Sequence, residues 1–178
     1  MATRDRHLMR FTFVALLVVF GDLLTKQVAV ALLGDAPTSL GALGGLVGER
    51  VRLVVVGNTE SAFGVSLGPH TWTVNVALTI AAILLILPVC RELARLDERA
   101  PQTLGLIAGA AGGNLVSLVT SSRGVTDFIA IEHGAGRELV LNFADVAAYM
   151  GLVLMVPLGL AVLRRLREAR AAGSVRAG

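Results

Sequence analysis

The sequence predicts an α-helical membrane protein in which four transmembrane helices are combined with a small extracytoplasmic β-sheet. Hydrophobic residues make up 54% of the 178 residues and charged residues only 16%, whereas a soluble domain carries about 25% charged residues. The apolar residues are concentrated in four long stretches, and arginines flank these stretches. The two longest polar segments contain short β-branched or apolar runs, which are typical of strands.

The four apolar stretches are each close to the ~20 residues that a helix needs to cross the hydrocarbon of a bilayer. We predict spans at residues 11–33, 72–89, 104–119 and 146–163, all within one membrane domain that covers residues 1–178. The third stretch is the least apolar because it contains four glycines. Small residues allow helices to approach closely in membranes, so we expect the third span to pack tightly against a neighbour.

The arginines predict the orientation of the spans. If both termini are cytoplasmic, the inner flanks contain 11 arginines and the outer segments contain four. Such an excess is typical of cytoplasmic flanks, so we expect residues 34–70 and 120–142 to be extracytoplasmic. The same arginines account for the pI of about 10.0. Membrane lipids are the expected contact of the basic tail, and no nucleic acid is expected because no binding motif accompanies the basic residues.

The outer segments contain three short runs that predict strands. Residues 51–56 are mostly valine and end at Gly57-Asn58. Residues 128–131 and 139–141 flank Gly134-Ala135-Gly136, which predicts a hairpin. A sheet on the membrane surface has an open edge, and such an edge can accept an extended peptide as an added strand.

Two aspartates, Asp127 and Asp145, lie where nearly uncharged apolar stretches meet polar segments. A carboxylate at the edge of a bilayer costs free energy, so it usually has a partner or a function. Taken singly, Asp127 is explained as a loop acid and Asp145 as a first-turn residue favoured by the helix dipole. Brought together, they can share one proton as the acid–base pair of a hydrolase. The setting favours the pair and leaves open which aspartate is acid and which is base.

Several polar residues have both a structural and a functional interpretation. Asp22 and Lys26 are four residues apart on the first span, so they can form an ion pair that either is structural or orients a nearby site. Asn58 beside Gly57 is typical of a turn. Asn114 within the third span needs hydrogen-bond partners and can bridge helices, and Asn142 can cap the last helix.

Other site types have little support in the sequence. The three histidines lack neighbours at metal-ligand spacing, and no serine-nucleophile or phosphate-loop motif is present. We therefore expect no metal and no organic cofactor. A single cysteine, Cys90, allows no intramolecular disulfide.

Together these motifs resemble the lipoprotein signal peptidase family, also called signal peptidase II, from the first span to the end of the fourth. Residues 22–26 match its Asp-x-x-Thr-Lys element, and residues 113–114 match its Gly-Asn element. Residues 125–128 and 142–145 match the two segments that carry the catalytic aspartates. Residues 58–64 match its Asn-x-Gly-Ala-Ala-Phe-Gly element in part.

The resemblance implies an aspartyl endopeptidase of the bacterial cytoplasmic membrane with its active site at the outer face. The implied substrate is a diacylglyceryl-modified prolipoprotein that is cut just before its lipidated cysteine, and the implied catalytic residues are Asp127 and Asp145. The implied supporting or substrate-binding residues are Asn58, Asn114, Asn142, Asp22, Lys26, Phe63 and Ala144.

The chain departs from the family pattern at several places, including Ser61 in place of an alanine and a loop between Asn114 and Asp127 that is about one residue longer. Ser117-Leu118 stands where the family has Asp-Arg, and Glu60 stands where a glycine is expected. Arg123 is our candidate for replacing the missing guanidinium. The departures support an alternative function, a catalytically impaired relative that binds precursors or lipids without cleaving them. A small proton-coupled carrier that uses Asp22 and Lys26 is a third hypothesis, disfavoured because the ionisable residues lie toward one leaflet.

Overall fold

The computed structural model describes residues 2–34, 51–59, 68–134 and 137–176. Within these ranges, four long helices and three strands follow one another along the chain, with one short 3₁₀ turn, Gly68–His70, before the second helix. The elements are α1 (Ala2–Leu33), β1 (Val51–Asn58), α2 (Thr71–Leu93), α3 (Ala100–Thr120), β2 (Val125–His133), β3 (Arg137–Leu141) and α4 (Phe143–Arg176).

Each helix is long and apolar enough to cross a membrane, by length and composition, and each contains one of the four predicted stretches. The predicted fold class, four apolar helices with a small sheet, is confirmed. The helices extend beyond the predicted spans because basic and polar residues at their ends continue the helical backbone outside the apolar core. The fourth helix shows this most clearly, since it continues to Arg176.

The third helix is the centre of the bundle. About half of its most apolar window is buried inside the protein, whereas the corresponding window of α2 is only 6% buried. Its glycines explain this position: a Cβ on Gly109 would lie 2.6 Å from the carbonyl oxygen of Ala15, and one on Gly105 would lie 2.9 Å from that of Phe11. The expected close packing of this span is therefore confirmed, and its partner is α1.

The three strands form one antiparallel sheet in the order β1-β2-β3. Strand β1 pairs with β2 from Val51 opposite Ile131 to Asn58 opposite Val125, with an irregularity between Leu53 and Val56. Strand β3 pairs only with the second half of β2, and its last pair is Leu141 with Ile129. The predicted hairpin is confirmed. The first half of β2, which carries Asp127, has only β1 beside it among the described strands.

A close backbone contact holds β1 and β2 together at the end of the sheet nearest the helices. Gly124, which precedes β2, has a φ of +79°, a conformation that favours glycine. A Cβ at this position would also clash with the backbone carbonyl of Asn58. The end of β1 and the start of β2 are therefore held together at the point where Asn58 and Asp127 project.

Candidate active site

The two predicted catalytic aspartates come from different elements and meet at one asparagine. Asp127 lies on β2, Asp145 lies in the first turn of α4, and Asn142 immediately precedes that helix. The Asn142 side-chain amide donates to Asp127 Oδ1 at 2.6 Å. The backbone N–H of Asn142 donates to Asp145 Oδ2 at 3.0 Å. Both carboxyl groups are thus bonded to the same residue.

The N-terminus of α4 explains this geometry. Asn142 Oδ1 accepts the backbone N–H of Asp145 at 2.9 Å, while Asp145 Oδ2 accepts the backbone N–H of Asn142. This reciprocal pair is a capping box, so the prediction that Asn142 caps the helix is confirmed. Because a backbone N–H can only donate, Asn142 Oδ1 is committed to the cap. Its amide nitrogen must then point toward Asp127.

Asp127 accepts a second amide from the end of β1. The side-chain nitrogen of Asn58 donates to Asp127 Oδ2 at 3.1 Å. Asn58 is the last residue of its strand and pairs with Val125. The turn that Gly57-Asn58 indicated is therefore replaced by the end of a strand, because Gly57 and Asn58 pair with the first two residues of β2.

Burial controls the proton affinity of Asp127. The residue is 4% exposed, and the removal of water raises its pKa above the ordinary value. The amides of Asn142 and Asn58 lower the pKa, and the nearby carboxylate of Asp145 raises it further. The net direction is upward.

The ion pair predicted on the first helix is present and is buried. Lys26 Nζ lies 2.6 Å from Asp22 Oδ2, with side chains only 6% and 0% exposed. The ammonium group also donates to Asn114 Oδ1 at 2.8 Å. Asn114 in turn donates through Nδ2 to Asp145 Oδ1 at 3.2 Å. A continuous hydrogen-bond chain therefore connects Asp22 on α1 with Asp145 on α4, through the bridging asparagine that the sequence indicated.

Asp22 also holds the segment between the two candidate catalytic residues. Its Oδ1 accepts the backbone N–H of Ala144 at 2.9 Å, and Ala144 is fully buried. A Cβ on Gly113 would lie 2.6 Å from Asp22 Oδ2, so the helix–helix approach at Gly113-Asn114 requires glycine. These contacts explain why a glycine precedes Asn114 and why a small residue precedes Asp145.

Three predicted features remain outside this network or outside the described residues. Phe63 and Glu60 belong to a segment that the structure does not describe. Arg123 lies in the loop before β2 with an exposed side chain, and its role as a replacement guanidinium stays a prediction.

Ser117 is a member of the site that the sequence did not indicate. It is 6% exposed, and its hydroxyl accepts the backbone N–H of Thr126, the neighbour of Asp127, at 3.3 Å. A buried hydroxyl within an apolar helix is the signal that could have identified it, because such a group needs a partner.

The arrangement is suited to acid–base chemistry on water. It contains two carboxyl groups and four amide or ammonium groups that orient them. Within the described residues, no group of three His, Cys, Asp or Glu side chains is placed to hold a metal ion. This set of groups supports hydrolysis by two carboxyl groups, of which one acts protonated and the other ionised.

Comparison with known proteins gives the same family from sequence and the same fold from structure. The family model described as signal peptidase (SPase) II matches residues 14–160. A lipoprotein signal peptidase of Mycolicibacterium smegmatis is 33% identical over 165 residues, which cover 89% of this chain and 64% of that protein. A lipoprotein signal peptidase of Chlorobium phaeobacteroides is 34% identical over 158 residues, which cover 82% and 92%.

Two solved structures of bacterial membrane enzymes, determined by the in meso method, share the fold. They superpose with TM-scores of 0.69 and 0.68 at 20% and 19% identity, and they cover 86% and 82% of this chain. The matched segment of residues 14–160 includes Asp22, Asn114, Asp127 and Asp145, the residues that form the hydrogen-bond network. The chain therefore belongs to the signal peptidase II family.

Proposed function

We propose that this protein is a membrane aspartyl endopeptidase that removes signal peptides from diacylglyceryl-modified prolipoproteins. One observation carries the proposal: Asp127 and Asp145 are bonded to the same asparagine at the junction between the sheet and the helices. The family supplies the substrate class. The pair of carboxyl groups supplies the means of hydrolysis.

The two aspartates have different surroundings, which assign them different roles. Asp145 accepts a backbone N–H and the amide of Asn114, and that amide is polarised by the ammonium group of Lys26. It also lies in the first turn of α4, where the helix dipole favours an anion. Asp127 is buried and its pKa is raised. These surroundings support Asp145 as the general base and Asp127 as the general acid.

Peptide hydrolysis then proceeds as an exchange of protons across the pair. Asp145 takes a proton from water as the water oxygen attacks the scissile carbonyl carbon, and Asp127 donates its proton to the carbonyl oxygen. The tetrahedral intermediate collapses when the amine of the lipidated cysteine receives the proton held by Asp145 and the C–N bond breaks. Asp127 recovers its proton from the hydroxyl of the intermediate, so the pair returns to its starting state.

The proposed topology places the aspartates at the outer face of the bacterial cytoplasmic membrane, with both termini cytoplasmic. The basic residues of the termini and of the α2–α3 connection lie at the helix ends remote from Asp22 and Asp127. This distribution supports the orientation because arginine-rich flanks favour the cytoplasm. The acyl chains of the substrate remain in lipid beside the helices, and the signal peptide lies against the sheet.

Cleavage of a lipidated precursor by the purified protein tests the proposal. We expect Asp127→Asn and Asp145→Asn each to reduce the rate at least about 1,000-fold, because each removes one member of the acid–base pair. Asp97→Asn is the matched control, since the Asp97 carboxylate accepts the backbone N–H of Arg99 at the other end of the bundle. Activity that survives in either dyad variant would exclude the dyad mechanism.

The same assay separates the proposal from its alternative. A wild-type protein that binds the lipidated precursor and releases no product would be the impaired relative. One support for that alternative is weakened, because Ser117 is buried and its hydroxyl accepts the backbone N–H of Thr126 beside Asp127.

A further inference from the structure

The position of Asp127 depends on how the end of α3 is connected to the start of β2. We call this region, residues 117–126, the joint between α3 and β2. Asp145 is fixed by the cap of its own helix, but Asp127 lies on a strand that reaches the bundle through a short loop at residues 121–124. Strand β3 reaches back only to Ile129. The start of β2 is therefore supported by β1 on one side, and on the other side no described strand provides acceptors for its backbone.

Ser117 occupies that side. It lies in the last turn of α3, it is buried, and its Oγ accepts the backbone N–H of Thr126 at 3.3 Å. The helix thereby supplies the acceptor that a neighbouring strand would otherwise supply. A buried N–H without an acceptor is costly, so this bond fixes the distance between the end of α3 and the start of β2.

The bond acts on Asp127 through the backbone and leaves its side chain free of obstruction. Successive residues of a strand point to opposite faces, so a bond to Thr126 N–H holds the backbone next to Asp127 without contacting the carboxyl group. The carboxyl group remains available to Asn142 and Asn58. Ser117 is also neutral, so it holds the strand without adding a charge beside the pair.

The neighbouring residue completes the joint on the opposite side of α3. The carbonyl oxygen of Leu118 accepts the indole N–H of Trp72 at 3.1 Å, which ties the start of α2 to the end of α3. Ser117 and Leu118 therefore join three elements, α2, α3 and β2, at the level of the site. Both residues stand where the sequence departs from the family pattern.

We propose that Ser117 is a positioning residue for catalysis, whose hydroxyl holds the start of β2 against α3 and so places Asp127 relative to Asp145. This inference rests on the proposed function. It adds a residue that acts through Thr126 on the reacting carboxyl group. The neutral Ser117–Thr126 hydrogen bond is the contact by which α3 holds the strand that carries Asp127.

The test compares Ser117→Ala with Ser117→Thr, which keeps the hydroxyl. We expect Ser117→Ala to lower kcat about tenfold with little change in KM, because a shifted Asp127 affects the chemical step more than substrate binding. Ser117→Thr is expected to retain at least about half of the wild-type kcat. Thr120→Ala is the matched control, since Thr120 lies one turn further along α3, is exposed, and its hydroxyl donates to Val116 O within the same helix.

A second measurement does not depend on activity. In Ser117→Ala, hydrogen exchange of the Thr126 amide is expected to accelerate about tenfold relative to wild type, while Ser117→Thr and Thr120→Ala leave it unchanged. Unaltered kcat together with unaltered exchange in Ser117→Ala would overturn the inference. A wild-type protein that cleaves nothing would instead refute the proposed function, and the exchange measurement would still decide whether Ser117 holds β2.

Discussion

The two ends of the helix bundle contain charged residues in opposite surroundings. At the end that carries the dyad, Asp22, Lys26 and Asp127 are between 0% and 5% exposed, and each has hydrogen-bond partners. At the other end, Arg95 and Glu92 form an ion pair whose side chains are 74% and 67% exposed. The same kinds of side chain therefore have different roles. The buried ones form the candidate site, and the exposed ones lie at the flank of the membrane spans.

The energetics of the two ends differ accordingly. An exposed ion pair contributes about 0–1 kcal/mol because water and salt screen it. Removal of one partner from a buried pair costs about 3–5 kcal/mol, since the other charge is left without compensation. If the comparison is correct, matched substitutions at the two ends will give unequal losses of stability and activity.

The largest expected difference is between Lys26→Met and Arg95→Met. Lys26→Met leaves the fully buried carboxylate of Asp22 without its cation and removes the donor that orients Asn114. We expect the free energy of unfolding in detergent to fall by about 3–5 kcal/mol and cleavage to be lost. Arg95→Met, at the exposed pair, is expected to change the stability by less than about 1 kcal/mol. Equal losses in the two variants would remove the distinction between the ends.

An intermediate effect is expected for Gly113→Ala. A Cβ at Gly113 would lie 2.6 Å from Asp22 Oδ2, so the methyl group must displace either the carboxylate or the helix. We expect a loss of about 1–3 kcal/mol in the free energy of unfolding, typical of overpacking, with a decrease in cleavage rate. Gly159→Ala is the matched control, because nothing lies within 4 Å of the added Cβ. If both variants keep the wild-type stability, the tight approach of α1 and α3 is not essential.

The smallest effect concerns the pH dependence of stability. The pKa of Asp127 is raised in the folded protein above its ordinary value of 3.8, mainly by burial. The folded state then binds the proton more tightly than the unfolded state. The free energy of unfolding should therefore fall as pH rises from 3.8 through the folded pKa.

Asp127→Asn removes this contribution. In the variant, we expect the free energy of unfolding to lack the decrease with rising pH that Asp127 causes. We expect the variant to be inactive but at least as stable as wild type at neutral pH. Unfolding in detergent at a series of pH values measures it, with Asp97→Asn as the control. A variant that loses stability at neutral pH would show that the Asp127 carboxylate stabilises the fold.

Much of this arrangement could be predicted from the sequence. Apolar length gave the four helices, β-branched runs gave the strands, and the spacing of four residues gave the pair of Asp22 and Lys26. These are local signals, because each depends on residues that are neighbours on one element. The candidate dyad also followed from the sequence, since carboxylates at the edges of apolar stretches are costly.

The remaining contacts join residues that are distant in sequence. Asn114 meets Lys26 across 88 positions, and Ser117 meets Thr126 only because the loop between them turns back. The sequence indicates that Asn114 needs partners but not which helix supplies them. It likewise gives no sign that Asn142 bonds both aspartates, because that depends on how β2 is placed against α4. These contacts depend on tertiary packing, which the hydrophobic periodicity of the sequence does not reveal.

The mass of the product formed by the purified protein decides whether this chain is a peptidase that depends on the two aspartates. We expect wild-type protein, given a precursor with a diacylglyceryl-modified cysteine, to release a fragment that begins at that cysteine, and we expect Asp145→Asn to release none. An unprocessed precursor in the wild-type reaction, or the same fragment from the Asp145→Asn reaction, would contradict this expectation.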